Sequence, residues 1–380
     1  MKHFWKKKSQ EEIKTIVFDA LEANVNYEKA HIWGLPASYL DDKVFYQDAS
    51  FVKDAPFIST LIQDPNHIGC HTRTHGESEP FFQGTHALEV DVIKLCAEQI
   101  FKGETDAQDG YIAPGGTEAN IQALWIYRNY FMEKFAAKHE QIAVIYSIDS
   151  HYSMPKAANL LGVKSIVLPV DERSREIDYP KMHKKIEEAK DAGIKYWIIV
   201  ANMATTMFGS VDNIDKLTTE LERNEVTNYK LHIDGAFGGL IYPIINTKNK
   251  FNFEHPKVTS ITIDPHKILQ APYGTGIFLI RKDYMHYVKT EEAQYIPNKD
   301  FTLCGSRSGA NAVSIWMILM THGYAGWQYL MDNLIDRTDH ICDRLDQMGI
   351  RYFREPKMNI VAINAEDISE DLAKQYHLVA

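Results

Sequence analysis

A lysine directly follows a histidine where an apolar, β-branched run ends, in the segment SITIDPHKILQAPYGTGIFLIRK of this 380-residue chain. Ligands of α/β sheets bind beyond the carboxyl ends of strands, and a sheltered lysine there can act as a nucleophile toward a carbonyl. Lys267 is that residue, with His266 beside it. A second run, KLHIDGAFGGLIYP, puts Asp234 at a strand end with small residues after it. A carboxylate in such a place keeps a pyridine nitrogen protonated, so that the ring can accept electrons, and Ala236 is small enough for a flat ring to pack on it. A third segment, APGGTEAN, leads Gly115, Gly116 and Thr117 into a helix, whose unpaired first N–H groups suit a phosphate. Its spacing matches neither a dinucleotide site nor a P-loop, which favours a phosphorylated cofactor other than NAD or ATP. The fourth, SIDSHYSMPKAANLLG, sets His151 just past another apolar run. An imidazole there can stack on an aromatic cofactor and meet a substrate carboxylate.

Each of these residues alone also fits a structural role. Lys267 would serve as a surface lysine, Asp234 as a turn cap, Thr117 as a helix cap and His151 as a hydrogen-bonded structural histidine. Their shared position, at strand ends or on a glycine loop beside them, raises the functional reading.

The elements that must position them are legible as alternating patterns. The runs 142–148, 165–170, 196–202, 230–236, 260–265 and 275–282 are short, apolar and β-branched, and helical patterns separate most of them. This predicts an α/β unit with a mostly parallel sheet covered on both faces. LEVDVIKLCAEQIF and the stretch from GGTEAN onward read as amphipathic helices. The chain divides into a helix and loop-rich segment over 1–84, a large cofactor-binding domain over 85–310, and a small C-terminal α+β domain over 311–380.

Composition bounds the partners. A formal net charge of −10 argues against a nucleic-acid backbone, and no apolar stretch approaches the roughly 20 residues that span a bilayer. Cys70, Cys96, Cys304 and Cys342 show neither CxxC nor metal-ligand spacing. A cytoplasmic enzyme acting on small molecules is expected, with no membrane and no metal.

The four segments, in this order and over most of the chain, resemble the group II pyridoxal-phosphate-dependent amino acid decarboxylases, which act on histidine, tyrosine, glutamate, aspartate and aromatic amino acids. The resemblance implies the aminotransferase-like fold (fold type I), pyridoxal 5'-phosphate as cofactor, and decarboxylation of an L-amino acid to the amine and carbon dioxide. It implies that Lys267 binds the cofactor covalently, that Gly115, Gly116, Thr117 and His266 neighbour its phosphate, that His151 stacks on its ring, and that Asp234 and Ala236 serve its nitrogen and face. ANMATTMFGSVDNI resembles the family's GTT-type loop, with Ala204 for the usual glycine and Thr205 near the ring oxygen. LCGSRSG resembles the segment that reaches a neighbouring subunit's phosphate through Gly305 and Ser306, which implies a homodimer with shared sites. SHYSMPK and CGSRSG are also similar to segments of the short bacterial histidine decarboxylases.

For the proton returned to Cα the resemblance suggests Tyr295, on a loop, which also reads as an ordinary loop residue. Trp33, Pro36 and the 66–86 loop with His71 and His75 are candidates to line the substrate. The family continues with a further strand and helix where this sequence stops, so a reduced or shortened small domain is expected. Carbon–carbon lyase chemistry of the sphingosine-phosphate-lyase type, aldehyde synthesis and non-catalytic cofactor binding remain the alternatives on this scaffold.

Overall fold

A computed structural model describes residues 4–25, 65–68, 80–290 and 299–378. Its centre is a seven-stranded sheet built from β2 (Gln108–Ala113), β3 (Ile142–Ser147), β4 (Lys164–Leu168), β5 (Tyr196–Asn202), β6 (Tyr229–Asp234), β7 (Val258–Ile263) and β8 (Gly276–Arg281). A short outlying strand, β1 (Asn66–Ile68), precedes them. The spatial order is β2-β8-β7-β6-β5-β3-β4. Strands β3 to β7 pair in parallel, and β8 runs against both of its neighbours, β7 and β2. The mostly parallel sheet expected from the apolar runs is present, with boundaries within a few residues. The sequence reading missed β2, whose QDGYIA mixes polar residues and a glycine into the strand.

Alternate residues of the strands feed two cores. Ile145, Ile199, Ile233 and Ile261 face one side, and Val144, Tyr146, Ile198 and Phe278 face the other. The first side is covered by α1 (Gln10–Ala23), α2 (Gln83–Lys94), α5 (Tyr179–Asp191), α6 (Ile214–Arg223) and α7 (Gly309–Met348). The second is covered by α3 (Gly116–Phe135) and α4 (Ser153–Leu161). Burial on both faces explains why the strands read as near-continuous apolar runs rather than alternating ones.

Local signals set the helix ends. Ser9 and Glu12 form a reciprocal capping box at the start of α1, and α4 stops at Gly162, whose φ of 64° is left-handed. The predicted LEVDVIKLCAEQIF helix is observed as the end of α2 followed by a π-helical stretch, Leu95–Ile100. Helix α7 bends at Gly323 (φ 64°), where the backbone of Lys7 would lie 2.3 Å from a β-carbon, so that only glycine fits. After α7 come a two-stranded pair, β10 (Tyr352–Phe353) with β11 (Ala362–Ile363), and a last short helix, Glu370–Gln375. Among the described residues, no helix is long and apolar enough to cross a membrane.

The consequence for function is positional. Strands β2, β3, β5, β6 and β7 all end at the same edge of the sheet, and the loops leaving that edge carry Gly115, His151, Thr205, Ala236 and Lys267.

Candidate active site

A cleft of about 350 Å3 opens at this edge. Pro114, Gly115, Gly116, Thr117 and Asn120 line it from the start of α3, His151 and Tyr152 from the start of α4, and Ala236, Asp264, His266, Lys267, Tyr273 and Gly274 from the loops after β6 and β7. Seven of the residues named from sequence therefore meet in one cavity: Gly115, Gly116, Thr117, His151, Ala236, His266 and Lys267.

Lys267 is partly exposed, and its Nζ lies 3.3 Å from Oδ2 of Asp264. The loop is folded locally: the Lys267 N–H donates to the Asp264 carbonyl, and His266 Nδ1 donates to the Thr275 carbonyl at 2.7 Å. His266 Nε2 then faces the same carboxylate at 3.7 Å. Burial raises the pKa of Asp264, with Lys267 and His266 opposing and Asp234 adding to the rise. Its Oδ1 is buried and makes no hydrogen bond among the described residues.

Asp234 ends β6 and is buried below the cleft lining. Its Oδ2 accepts from Asn120 Nδ2 at 3.2 Å, and its Oδ1 accepts from the Ala236 N–H at 3.2 Å. His151 Nδ1 contacts Ser153 Oγ at 2.9 Å. Burial lowers the His151 pKa, with Asp234 opposing and Lys267 reinforcing the shift. The mutual influence of these three groups follows from their convergence on one cleft.

Helix α3 begins without a side chain to cap it, because Gly115 holds the N-cap position at φ 125°. Its first-turn N–H groups therefore stay available to an anion. Gly116 has no room for a side chain, since a β-carbon there would stand 2.6 Å from Asp264 Oδ2. An uncapped helix start, an amine at the cleft, a buried carboxylate below it and a buried oxygen lacking a partner together form a cradle that fits a phosphorylated, aldehyde-bearing heteroaromatic ring.

Besides Asp234, three of the residues named from sequence stand off the cleft lining. Thr205 is buried, with its Oγ1 bonded to Ser210 Oγ at 2.8 Å in a tight turn. Ala204, before it, has φ 72°, which accounts for the glycine expected at that position. Gly305 immediately precedes β9 (Ser306–Ser308) and Ser306 begins it; this strand pairs with β1. That pair is anchored by Arg307, whose guanidinium donates to buried Glu89 at 2.7 Å, and by His67 on the same carboxylate at 2.6 Å. Tyr295, Trp33, Pro36, His71 and His75 lie outside the described residues, as does Cys70; Cys96, Cys304 and Cys342 are free.

The sequence reading passed over Asn120, Asp264, Ser153, Tyr152 and Tyr273. Asn120 stands four residues beyond Gly116, which is one helical turn and hence the same face. Asp264 stands three residues before Lys267, in the DPHK cluster itself.

Comparison with known proteins agrees with this geometry. The pyridoxal-dependent decarboxylase conserved domain matches residues 66–363. A tryptophan decarboxylase of Clostridium sporogenes is 47% identical over 376 residues, covering 99% of this chain and 89% of that protein. A probable L-aspartate decarboxylase of Archaeoglobus fulgidus is 32% identical, with 85% and 80% covered. The solved L-methionine decarboxylase of Streptomyces sp. 590 superposes with a TM-score of 0.71 at 19% identity, covering 97% of this chain and 86% of that one, which shows the shared fold. The chain belongs to the pyridoxal-dependent decarboxylases and is a carboxy-lyase that uses pyridoxal 5'-phosphate to remove carbon dioxide from an L-amino acid.

Proposed function

We propose that the amino acid is aromatic, L-tryptophan before others, and that the enzyme works as a cytoplasmic homodimer. The observation that carries the substrate reading is the 47% identity with a tryptophan decarboxylase along nearly the whole chain. The three free cysteines are in keeping with a reducing compartment.

Lys267 is the residue to hold the cofactor covalently, with the N–H groups around Gly115, Gly116 and Thr117, together with His266, receiving its phosphate. The chemistry that pyridoxal phosphate supplies when bound is an electron sink for the pair left on Cα as carbon dioxide departs. Asp234 holds a proton at the ring nitrogen. Ala236 leaves space for one face of the ring, His151 covers the other and orients the substrate carboxylate, and Thr205 serves the ring oxygen. Tyr295 is the proposed donor of the proton that returns to Cα.

Dimerisation is proposed from two features. Tyr152 and Tyr273, at the cleft, are 63% and 90% exposed, which leaves aromatic surface beside the site for a second copy to meet. Gly305 and exposed Ser306 stand away from their own cleft, in keeping with contacts to the phosphate of a second copy. Segments 1–84, 85–310 and 311–380 are kept as the domain division, which limited proteolysis would check.

The deciding experiment measures carbon dioxide and amine over tryptophan, tyrosine, phenylalanine, histidine, aspartate, glutamate and methionine, with sedimentation of the holoenzyme alongside. Preferred turnover of tryptophan in a two-chain particle is expected. Preference for aspartate or histidine would overturn the aromatic reading, an aldehyde product would point to lyase or synthase chemistry, and a monomer with full activity would overturn the shared site.

A further inference from the structure

We propose that Asn120 is the positioning residue that locks both polar partners of the cofactor ring through one amide, holding Asp234 on one arm and, by way of Ser153, the tautomer of His151 on the other. This rests on the roles of Asp234 and His151 given above.

The direction of every hydrogen bond follows from donor inventory. A carboxylate only accepts, so the Asn120 group 3.2 Å from Asp234 Oδ2 is the NH2. The amide oxygen is thereby turned to His232 Nε2 at 2.9 Å, and that nitrogen must carry hydrogen. Burial keeps the His232 ring neutral, with its pKa lowered to about 3, so Nδ1 is bare and accepts the Ser260 hydroxyl at 2.7 Å. Ser260 Oγ is left to accept from the Tyr127 hydroxyl. The second hydrogen of the Asn120 NH2 goes to Ser153 Oγ at 3.0 Å, and Ser153 passes its own to His151 Nδ1 at 2.9 Å. The Ser153 backbone N–H also points at that nitrogen, at 3.3 Å. His151 Nδ1 is therefore an acceptor, and its proton sits on Nε2.

From Tyr127 through Ser260, His232 and Asn120, every donated hydrogen runs toward Asp234. Chains polarised in one direction strengthen each member. Tyr127, Ser153, His232 and Ser260 are fully buried and Asn120 is 1% exposed, so water does not compete for these bonds. An amide flip at Asn120 would set oxygen against carboxylate, which is why the orientation is fixed rather than merely preferred.

The test pairs nitrogen-15 NMR of the histidines in the cofactor-free chain with steady-state kinetics of the holoenzyme, for wild type, Asn120→Ala and Asn120→Asp. The wild type is expected to show His151 and His232 as neutral, Nε2-protonated rings at neutral pH. Asn120→Asp keeps the shape and removes the donors; it is expected to lower kcat by about tenfold or more, with KM little changed, and to shift the pH profile as two neighbouring carboxylates share a proton. Asn120→Ala should lower kcat similarly and perturb both histidine signals. A wild-type His232 protonated on Nδ1, or an Asn120→Asp enzyme with unchanged kcat and pH profile, overturns the proposal. Should Asn120→Ala fail to fold, Asn120→Asp still decides. Wild type that gains no absorption band with pyridoxal phosphate would instead sink the roles of Asp234 and His151, independently of the tautomers read in the cofactor-free chain.

Discussion

A methyl group on Gly116 would fall 2.6 Å from Oδ2 and 2.7 Å from Oδ1 of Asp264, so the start of α3 and the segment leading to Lys267 meet with no space for a side chain between them. Gly116→Ala must push either the helix start or the carboxylate away, and with it the Lys267 partner. We expect cofactor affinity to fall by at least about tenfold, or 1.4 kcal/mol. Absorbance titration of the cofactor-free protein measures this directly, and an unchanged affinity would mean that the helix start has no part in binding.

Removing the amine is a separate matter from removing the cradle. Lys267→Ala is expected to fold, because this side chain is partly exposed and its loop is held by the bond from the Lys267 N–H to the Asp264 carbonyl and by the His266–Thr275 contact. Activity should drop by several orders of magnitude, as for other loss of a covalent catalytic group. Borohydride treatment followed by mass spectrometry should add one cofactor to wild type and none to the variant; a labelled variant would assign the attachment elsewhere.

Ala204 adopts φ 72°, in the region where a β-carbon costs about 1–2 kcal/mol. Ala204→Gly relieves that cost against a larger entropy loss on folding, so a net gain of about 0.5–1 kcal/mol is expected. Urea denaturation decides it. A loss would show that the Ala204 methyl, which lies 3.0 Å from the position of a β-carbon on Gly238, contributes packing that outweighs the strain.

Burial lowers the pKa of His232 to about 3 in the folded chain. Unfolded, the ring titrates near 6.5, so the unfolded state takes up the proton first as pH falls. Stability from this residue is fully present above about 6.5 and is lost toward pH 3, at about 1.4 kcal/mol per unit. Glu89 and Glu118, raised by burial to about 7, act in the opposite sense between 4.5 and 7. Comparing wild type with His232→Gln cancels those terms. The variant's stability should fall less steeply between pH 6.5 and 4.5, and parallel curves would mean that the ring is solvated.

The cradle was legible because its residues sit in short contiguous motifs: the lysine after a strand, the aspartate after a strand, the glycines before a helix. Periodicity alone found β3, β5 and β7, whose residues are buried on both faces. It missed β2, where Gln108, Asp109 and Gly110 break the apolar pattern although the strand pairs along its whole length with β8. The network through Asn120 was illegible for another reason. Tyr127, Ser153, His232 and Ser260 are far apart in sequence, and each looks like an ordinary polar residue until the sheet and α3 bring them into contact.

The reversal of β8 has a topological consequence for the lysine. A parallel strand after β7 would have required a long crossover back across the sheet, sending the chain away from the cleft. Because β8 returns antiparallel to β7, residues 264–275 leave and re-enter the sheet at one rim as a short closed arch. Asp264, His266, Lys267, Tyr273 and Gly274 are all carried by that arch, while its Leu269 and Ala271 are buried in the first core, so much of the reactive centre is encoded in one uninterrupted stretch of the chain that the core itself holds in place.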